Sequence, residues 1–134
     1  MLLDTHALLW WQAGPEAKRL SARARKAITD ASAVLVSPIS CWETTMLLVK
    51  GRIALDRDVY QWTRDLFAQD SVMEAPLSPQ TAIAAGLLAR DGFRGDPADR
   101  LLYATARVLR VPLVSKDQAI RSFARGRRDV TVIW

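Results

Sequence analysis

PADRLLYATARVLRVPLVSKDQAI, residues 97–120, carries the pattern that decides the fold. Pro97 suits a first helical turn, so a helix is expected from Pro97 to Leu109. The apolar run from Val111 to Val114 then reads as a strand. Asp117 follows that strand by three residues, and Gln118 to Arg125 reads as a short helix. The local unit is therefore a helix, a strand, an acid and another helix.

The same unit recurs along the chain. Met1 to Leu3 is a strand candidate, Asp4 follows it, and Thr5 to Gln12 is a helix broken by Gly14-Pro15. Glu16 to Asp30 reads as a charged helix. Ala33 to Val36 is a buried strand bounded by Ser37-Pro38. Ser40 to Lys50 is the next helix, closed by Gly51. Asp58 to Gln69 is another helix, with Asp58 as its cap, and Val72 to Leu77 is a weak strand. Pro79 to Arg90 is helical, and Val130 to Ile133 is a last strand. Alternating strands and helices imply βαβ units around a mostly parallel sheet. The strands are continuous apolar runs, which fits a sheet covered by helices on both faces.

Composition sets the outer bounds. At 134 residues, one domain spanning 1–134 is expected. Half of the residues are apolar and 25% are charged, which excludes a disordered chain. Lys and Arg number 19 against 14 Asp and Glu; the +5 surplus suits a polyanionic partner. A single cysteine, Cys41, excludes an internal disulfide framework and a cysteine zinc finger. The unbroken apolar run Ala7 to Trp11 is five residues long; a membrane span needs about 20. No signal-peptide pattern precedes it, so a cytoplasmic protein with no membrane partner is expected.

In parallel sheets of this kind ligands bind beyond the carboxyl ends of the strands. Asp4 and Asp117 sit there, Asp96 and Asp99 open the helix leading into a strand, and Glu43 lies one turn into the helix after Val36. Each Asp also has a plain capping explanation, with Asp96 and Asp99 at near capping-box spacing. Glu43 does not: on an apolar helix it needs an ion pair with an arginine or a metal. Carboxylates gathered from four segments repel one another and call for a cation. Oxygen ligands alone select a hard divalent ion, Mg²⁺ or Mn²⁺, which can bind phosphate oxygens and activate water. An acidic metal site on a basic chain has the electrostatic layout of a nuclease.

DTHALLWW, SPISCWE, GDPADRLLYATA and PLVSKD together resemble the PIN domain, and more narrowly the VapC-type ribonuclease toxins of type II toxin–antitoxin systems. The resemblance covers essentially the whole chain. It implies a three-layer α/β/α sandwich and a metal-dependent endoribonuclease. It places the family's acidic quartet on Asp4, Glu43, Asp99 and Asp117. Asp99 is favoured as the inner ligand, with Asp96 as a fifth acid that is either a cap or an outer group. Ser115 matches a hydroxyl position that serves a carboxylate or phosphate. The resemblance also implies an RNA substrate, a cognate antitoxin, and a homodimer or higher even oligomer. Two alternatives stand beside it: a PIN nuclease of RNA processing without an antitoxin, and a non-catalytic nucleic-acid-binding domain.

The remaining features have bland explanations as well as functional ones. His6, the one histidine, is expected to be a satisfied structural residue, and Cys41 is expected to pack. Arg19, Arg23 and Lys26 fall at i, i+4 and i+7 of the expected Glu16–Asp30 helix, where they share a face with Lys18 nearby. Arg121 and Arg125 begin a second basic stretch, and Arg94 and Arg100 flank the acidic segment. Each is a solvated face or an RNA-phosphate contact. Five tryptophans are expected to pack mostly in the core, with any exposed one serving a partner groove.

Overall fold

β1 (Leu2–Leu3) is the central strand of a five-stranded, all-parallel sheet ordered β3-β2-β1-β4-β5 in the computed structural model, which describes residues 1–14 and 19–134. The other strands are β2 (Val34–Val36), β3 (Val72–Glu74), β4 (Leu113–Val114) and β5 (Val132–Ile133). The described helices are α1 (Thr5–Gln12), α2 (Ala22–Thr29), α3 (Pro38–Val49), α4 (Val59–Phe67), α5 (Pro79–Leu88), α6 (Pro97–Leu109) and α7 (Gln118–Ala124). Leu2 pairs with Leu35 of β2 and Leu113 of β4, and Leu3 with Val114.

Successive strand residues face opposite sides of a sheet. Leu2 and Leu113 accordingly enter one core with Leu88, Phe93, Leu102 and Tyr103. Leu3 and Val114 enter the other with Leu8, Ile28, Val36 and Leu66. A separate core on each face is the three-layer α/β/α sandwich that the sequence predicts. β1 is only two residues long, but both leucines are fully buried, and each burial contributes roughly 2 kcal/mol.

The chain builds the sheet outward from β1 through β2 to β3, then returns to add β4 and β5 on β1's other side. The strand order reverses between β1 and β4, the place at which sheets of this kind leave a crevice outside the strand ends. Asp4 and Ser115 flank that point, and the Asp4 amide donates to the Val114 carbonyl at 3.0 Å.

Every described helix begins on a Ser or Asp whose side chain accepts a backbone N–H: Asp4, Ser21, Ser37, Asp58, Ser78, Asp96 and Asp117. These caps explain most departures from the sequence reading. α2 starts at Ala22 because Ser21 caps it. The expected helix from Glu16 is thus shortened, Arg19 lies ahead of it, and residues 15–18, including Lys18, lie outside the described residues. Arg19 therefore does not share a helix face with Arg23 and Lys26. α3 begins earlier than expected, since Ser37 caps it and Pro38 occupies its first turn. β3 stops at Glu74, short of Pro76. β4 starts after Pro112, which has no N–H to give a ladder. No described helix is long and apolar enough to cross a membrane.

Candidate active site

Asp4 is pinned at the crevice by two tasks. Its Oδ1 caps α1 by accepting from the Ala7 amide at 2.6 Å, and its carboxyl also hydrogen-bonds the Ser115 hydroxyl. Only 5% of Asp4 is exposed. Burial pushes its carboxyl above the ordinary range, while those two hydrogen bonds and the charge of His6 hold it back. Ser115 is itself fully buried and accepts from the Asp117 amide at 3.0 Å. One hydroxyl thus ties together the acids that follow β1 and β4.

α3 packs against α1 and carries Glu43 toward the same crevice. The Thr5 hydroxyl donates to Glu43 Oε2 at 2.5 Å. The arginine considered as a structural partner for Glu43 is not there: among the described residues, no ion pair involves it. Burial raises its carboxyl first of all, and Asp96 and Asp4 add to the rise against Thr5 and His6.

Asp96 and Asp99 form a reciprocal capping box at the start of α6. Asp96 is exposed, whereas Asp99 is partly buried and faces its neighbours. Burial first, then the charges of Asp117, Asp96 and Glu43, push the Asp99 carboxyl up to about 7. Asp117 caps α7 by accepting from the Ile120 amide at 2.9 Å. The five acids are thus electrostatic neighbours drawn from four segments, and none is paired with Lys or Arg among the described residues.

That donor set fits a hard divalent cation: all oxygen, mutually repelling and without a counter-charge. Among the described residues, no three acids stand together as a ready-made metal cage. Each instead feels the charge of others: Asp4 that of Asp117, Glu43 those of Asp96 and Asp4, and Asp99 those of Asp117, Asp96 and Glu43.

Two supporting residues escaped the sequence reading. Thr5 orients Glu43 across 38 residues of sequence, and its one signal was a hydroxyl directly after Asp4. Gly95 is the other. A Cβ there would lie 2.3 Å from the Phe93 ring and 3.0 Å from Asp99 Oδ2, so only glycine lets the loop pass this close to the acid. α3 also buries two hydroxyls without a hydrogen-bond partner, Ser40 Oγ and Thr44 Oγ1.

His6 departs from expectation. It is exposed, with its ring 5.6 Å from that of Trp10. Cys41 packs half-buried as expected. Arg23 and Lys26 are exposed on α2, but Lys26 is engaged by Asp30 at 2.7 Å. Arg94, Arg121 and Arg125 are exposed, and Arg100 is partly buried one residue beyond Asp99.

A groove of about 1120 Å³ is walled by α1, the end of α3, the segment at 52–57 and α4. Leu9, Trp10, Leu47, Leu55, Trp62 and Leu66 give it an apolar floor, and His6 stands at its edge. Trp62 and Trp10 pack as the core reading expects, whereas Trp42 is 57% exposed.

Residues 1–126 match the model of the PIN domain family. This chain belongs to the PIN-domain family. The acids at its sheet reversal are those on which the sequence motifs rest. The chain is 41% identical to Ribonuclease VapC22 of Mycobacterium tuberculosis (strain ATCC 25618 / H37Rv) over 132 residues, 98% of this chain and 97% of that relative. The fold recurs in a toxin–antitoxin complex from Klebsiella pneumoniae, with a TM-score of 0.62 and 21% identity over 97% of this chain and 94% of that one. It recurs in VapBC2 from Rickettsia felis bound to a promoter DNA fragment, with a TM-score of 0.64 and 13% identity over 98% and 95%. FitAcB from Neisseria gonorrhoeae gives a TM-score of 0.59 and 16% identity over 98% and 94%. At these identities the solved structures establish the PIN fold, while the VapC22 likeness carries the closer kinship.

Proposed function

We propose that this PIN-domain protein is a VapC-type ribonuclease toxin that cuts RNA phosphodiesters with a divalent ion, Mg²⁺ or Mn²⁺, held by Asp4, Glu43, Asp99 and Asp117. The observation that carries this reading is the uncompensated set of acids at the sheet reversal. The identity to Ribonuclease VapC22 over nearly the full chain supports the RNA substrate.

Bound there, the ion would neutralise the acids, take a phosphate oxygen and lower the pKa of a water. The protein's own groups do the rest. Ser115 and the Ala7 amide hold Asp4 in one rotamer, and Thr5 does the same for Glu43. Asp99 stands at about 7 while no cation offsets its neighbours, and gives up that proton to become a ligand. Asp96 caps α6 and adds negative charge from outside. Arg100, next to Asp99, is within reach of a substrate phosphate, and Arg94, Arg121 and Arg125 extend a basic surface around it. Arg23 and Lys26 on α2 and Arg19 beside the groove are weaker candidates for RNA contact.

An antitoxin partner is supported by the Klebsiella pneumoniae and Rickettsia felis relatives, described as a toxin–antitoxin complex and as VapBC2. The apolar groove beside α1 is the surface that suits it. A homodimer or higher even oligomer is supported by exposed Ile83 and Leu87, one turn apart on α5.

Purified protein incubated with RNA tests the reading. Cleavage with Mg²⁺ or Mn²⁺ that vanishes in EDTA and in Asp4→Asn is the expected result. Full activity in EDTA overturns the metal mechanism.

A further inference from the structure

A second charged cavity lies at the other end of the sheet. It encloses about 520 Å³ at the N-terminal edge of β4 and β5. Arg107 and Arg110, from the end of α6, and Arg128, ahead of β5, line it. Its one carboxylate, Asp129, is already engaged: the Tyr103 hydroxyl donates to it at 2.7 Å and Arg107 lies 3.9 Å away. Among the described residues, Arg110 and Arg128 have no acidic partner. The cavity therefore keeps a positive surplus while the acids gather at the opposite end of α6.

The backbone supplies an independent observation. Arg110 ends α6 with φ 55 and ψ 42, in the left-handed region. Among the described residues it is the one non-glycine with positive φ; Gly14, Gly51, Gly92 and Gly126 fill the other such positions. A side chain in that conformation crowds its own backbone, and glycine ends a helix this way without strain. A long cation standing at a glycine position, on the rim of a cavity lined by arginines, marks a site where the charge is used.

We infer that this cavity is a second phosphate-binding site, which holds the backbone of the substrate RNA far from the bond being cut. The inference rests on the ribonuclease reading above and deepens it. Guanidinium groups match phosphate oxygens bidentately, which suits arginines around a cavity with no free acid. The rise of α6 from Asp99 to Arg110 is about 16 Å. At about 3.4 Å per nucleotide along a helical strand, that straight-line gap takes roughly five nucleotides. Short oligonucleotides cannot bridge the two sites, so the enzyme would favour long or folded RNA over fragments.

The test uses the full chain carrying Asp4→Asn, so that RNA is bound and not cut. Binding is measured for an RNA of about 24 nucleotides and for a tetranucleotide at several salt concentrations, with and without Arg110→Gly plus Arg128→Ala. The expected result is a loss of about tenfold for the long RNA, a shallower salt slope by about two, and no change for the tetranucleotide. Arg110→Gly relieves backbone strain, so a thermal melt no lower than that of the parent shows that the loss is not misfolding. Unchanged binding of the long RNA, or equal losses for both, overturns the inference. Cleavage assays on the wild type answer separately for the ribonuclease reading. A wild type that cuts RNA while the double variant binds normally removes the second site alone.

Discussion

Asp4 shows how one residue serves fold and chemistry at the same time. As a cap it stabilises α1; as a buried acid it weakens the metal-free protein. Asn caps a helix about as well as Asp, so Asp4→Asn removes the charge and leaves the cap. In EDTA, Asp4→Asn is expected to melt a few degrees above wild type, and millimolar Mn²⁺ to raise wild type by mass action. Equal melts in EDTA would mean that the acids do not crowd one another. Asp99 gives the matching pH dependence. Its carboxyl stands at about 7 against an ordinary 3.8. The folded protein thus holds this proton more tightly than the unfolded chain does. Asp99's contribution is most favourable below about pH 3.8 and is lost as pH rises through about 7. Metal binding runs the other way and strengthens over the same rise, because the ion needs the carboxylate. Melting wild type and Asp99→Asn in EDTA from pH 5 to 8.5 checks the sign: the advantage of Asp99→Asn should grow with pH.

Among the elements, α1 and α6 were legible in the sequence to the residue, because Asp4 and Asp96 are caps followed by unbroken helical segments. α2 was not. The run from Glu16 is charged enough to read as helix, but the Ser21 hydroxyl competes for the backbone and sets a later start. Ser37-Pro38 read as a strand boundary, which it is, while also being the cap and first residue of α3. The site divides in the same way. Asp4, Asp96, Asp99 and Asp117 were legible because each follows a strand or opens a helix, and Glu43 because an acid on an apolar helix needs a partner. Thr5 was not, because its role depends on Glu43, 38 residues away; Gly95 was not, because its role depends on how the loop folds Phe93 and Asp99 back onto it. Gly95 carries a prediction at this scale. Phe93 is buried and packs at 4.8 Å ring to ring against Phe123, so it cannot yield freely to an added methyl. Gly95→Ala is expected to lower stability by about 1–3 kcal/mol through overpacking. It should also shift Asp99, so RNA cleavage falls more than stability does. Denaturant melts beside cleavage rates check this; a variant with wild-type values for both would show that the loop moves aside at little cost.

For the whole molecule, α1 links the acids to the groove: Asp4 caps it, and its His6, Leu9 and Trp10 line the groove. His6 stands on the groove's edge, and its charge reaches Asp4 and Glu43. A partner helix laid along the apolar floor would therefore end beside acids that, among the described residues, no Lys or Arg pairs. An extended tail leaving that helix, with one basic side chain, would find its counter-charge there. It would block the crevice and compete with the metal in the same move. Ala54 allows a clean test, because it lines the groove yet is exposed. Ala54→Glu places a charge under the partner helix without disturbing the core. Its RNA cleavage should equal wild type. Its affinity for a neighbour-encoded antitoxin should fall at least tenfold, about 1.4 kcal/mol. In cells, co-expression of the antitoxin should then restore growth for wild type and not for the variant. Light scattering on the co-purified wild-type pair should give an even number of toxin chains, and Ile83→Glu with Leu87→Glu should halve it. A complex that forms equally well with Ala54→Glu would place the antitoxin on another face of the protein.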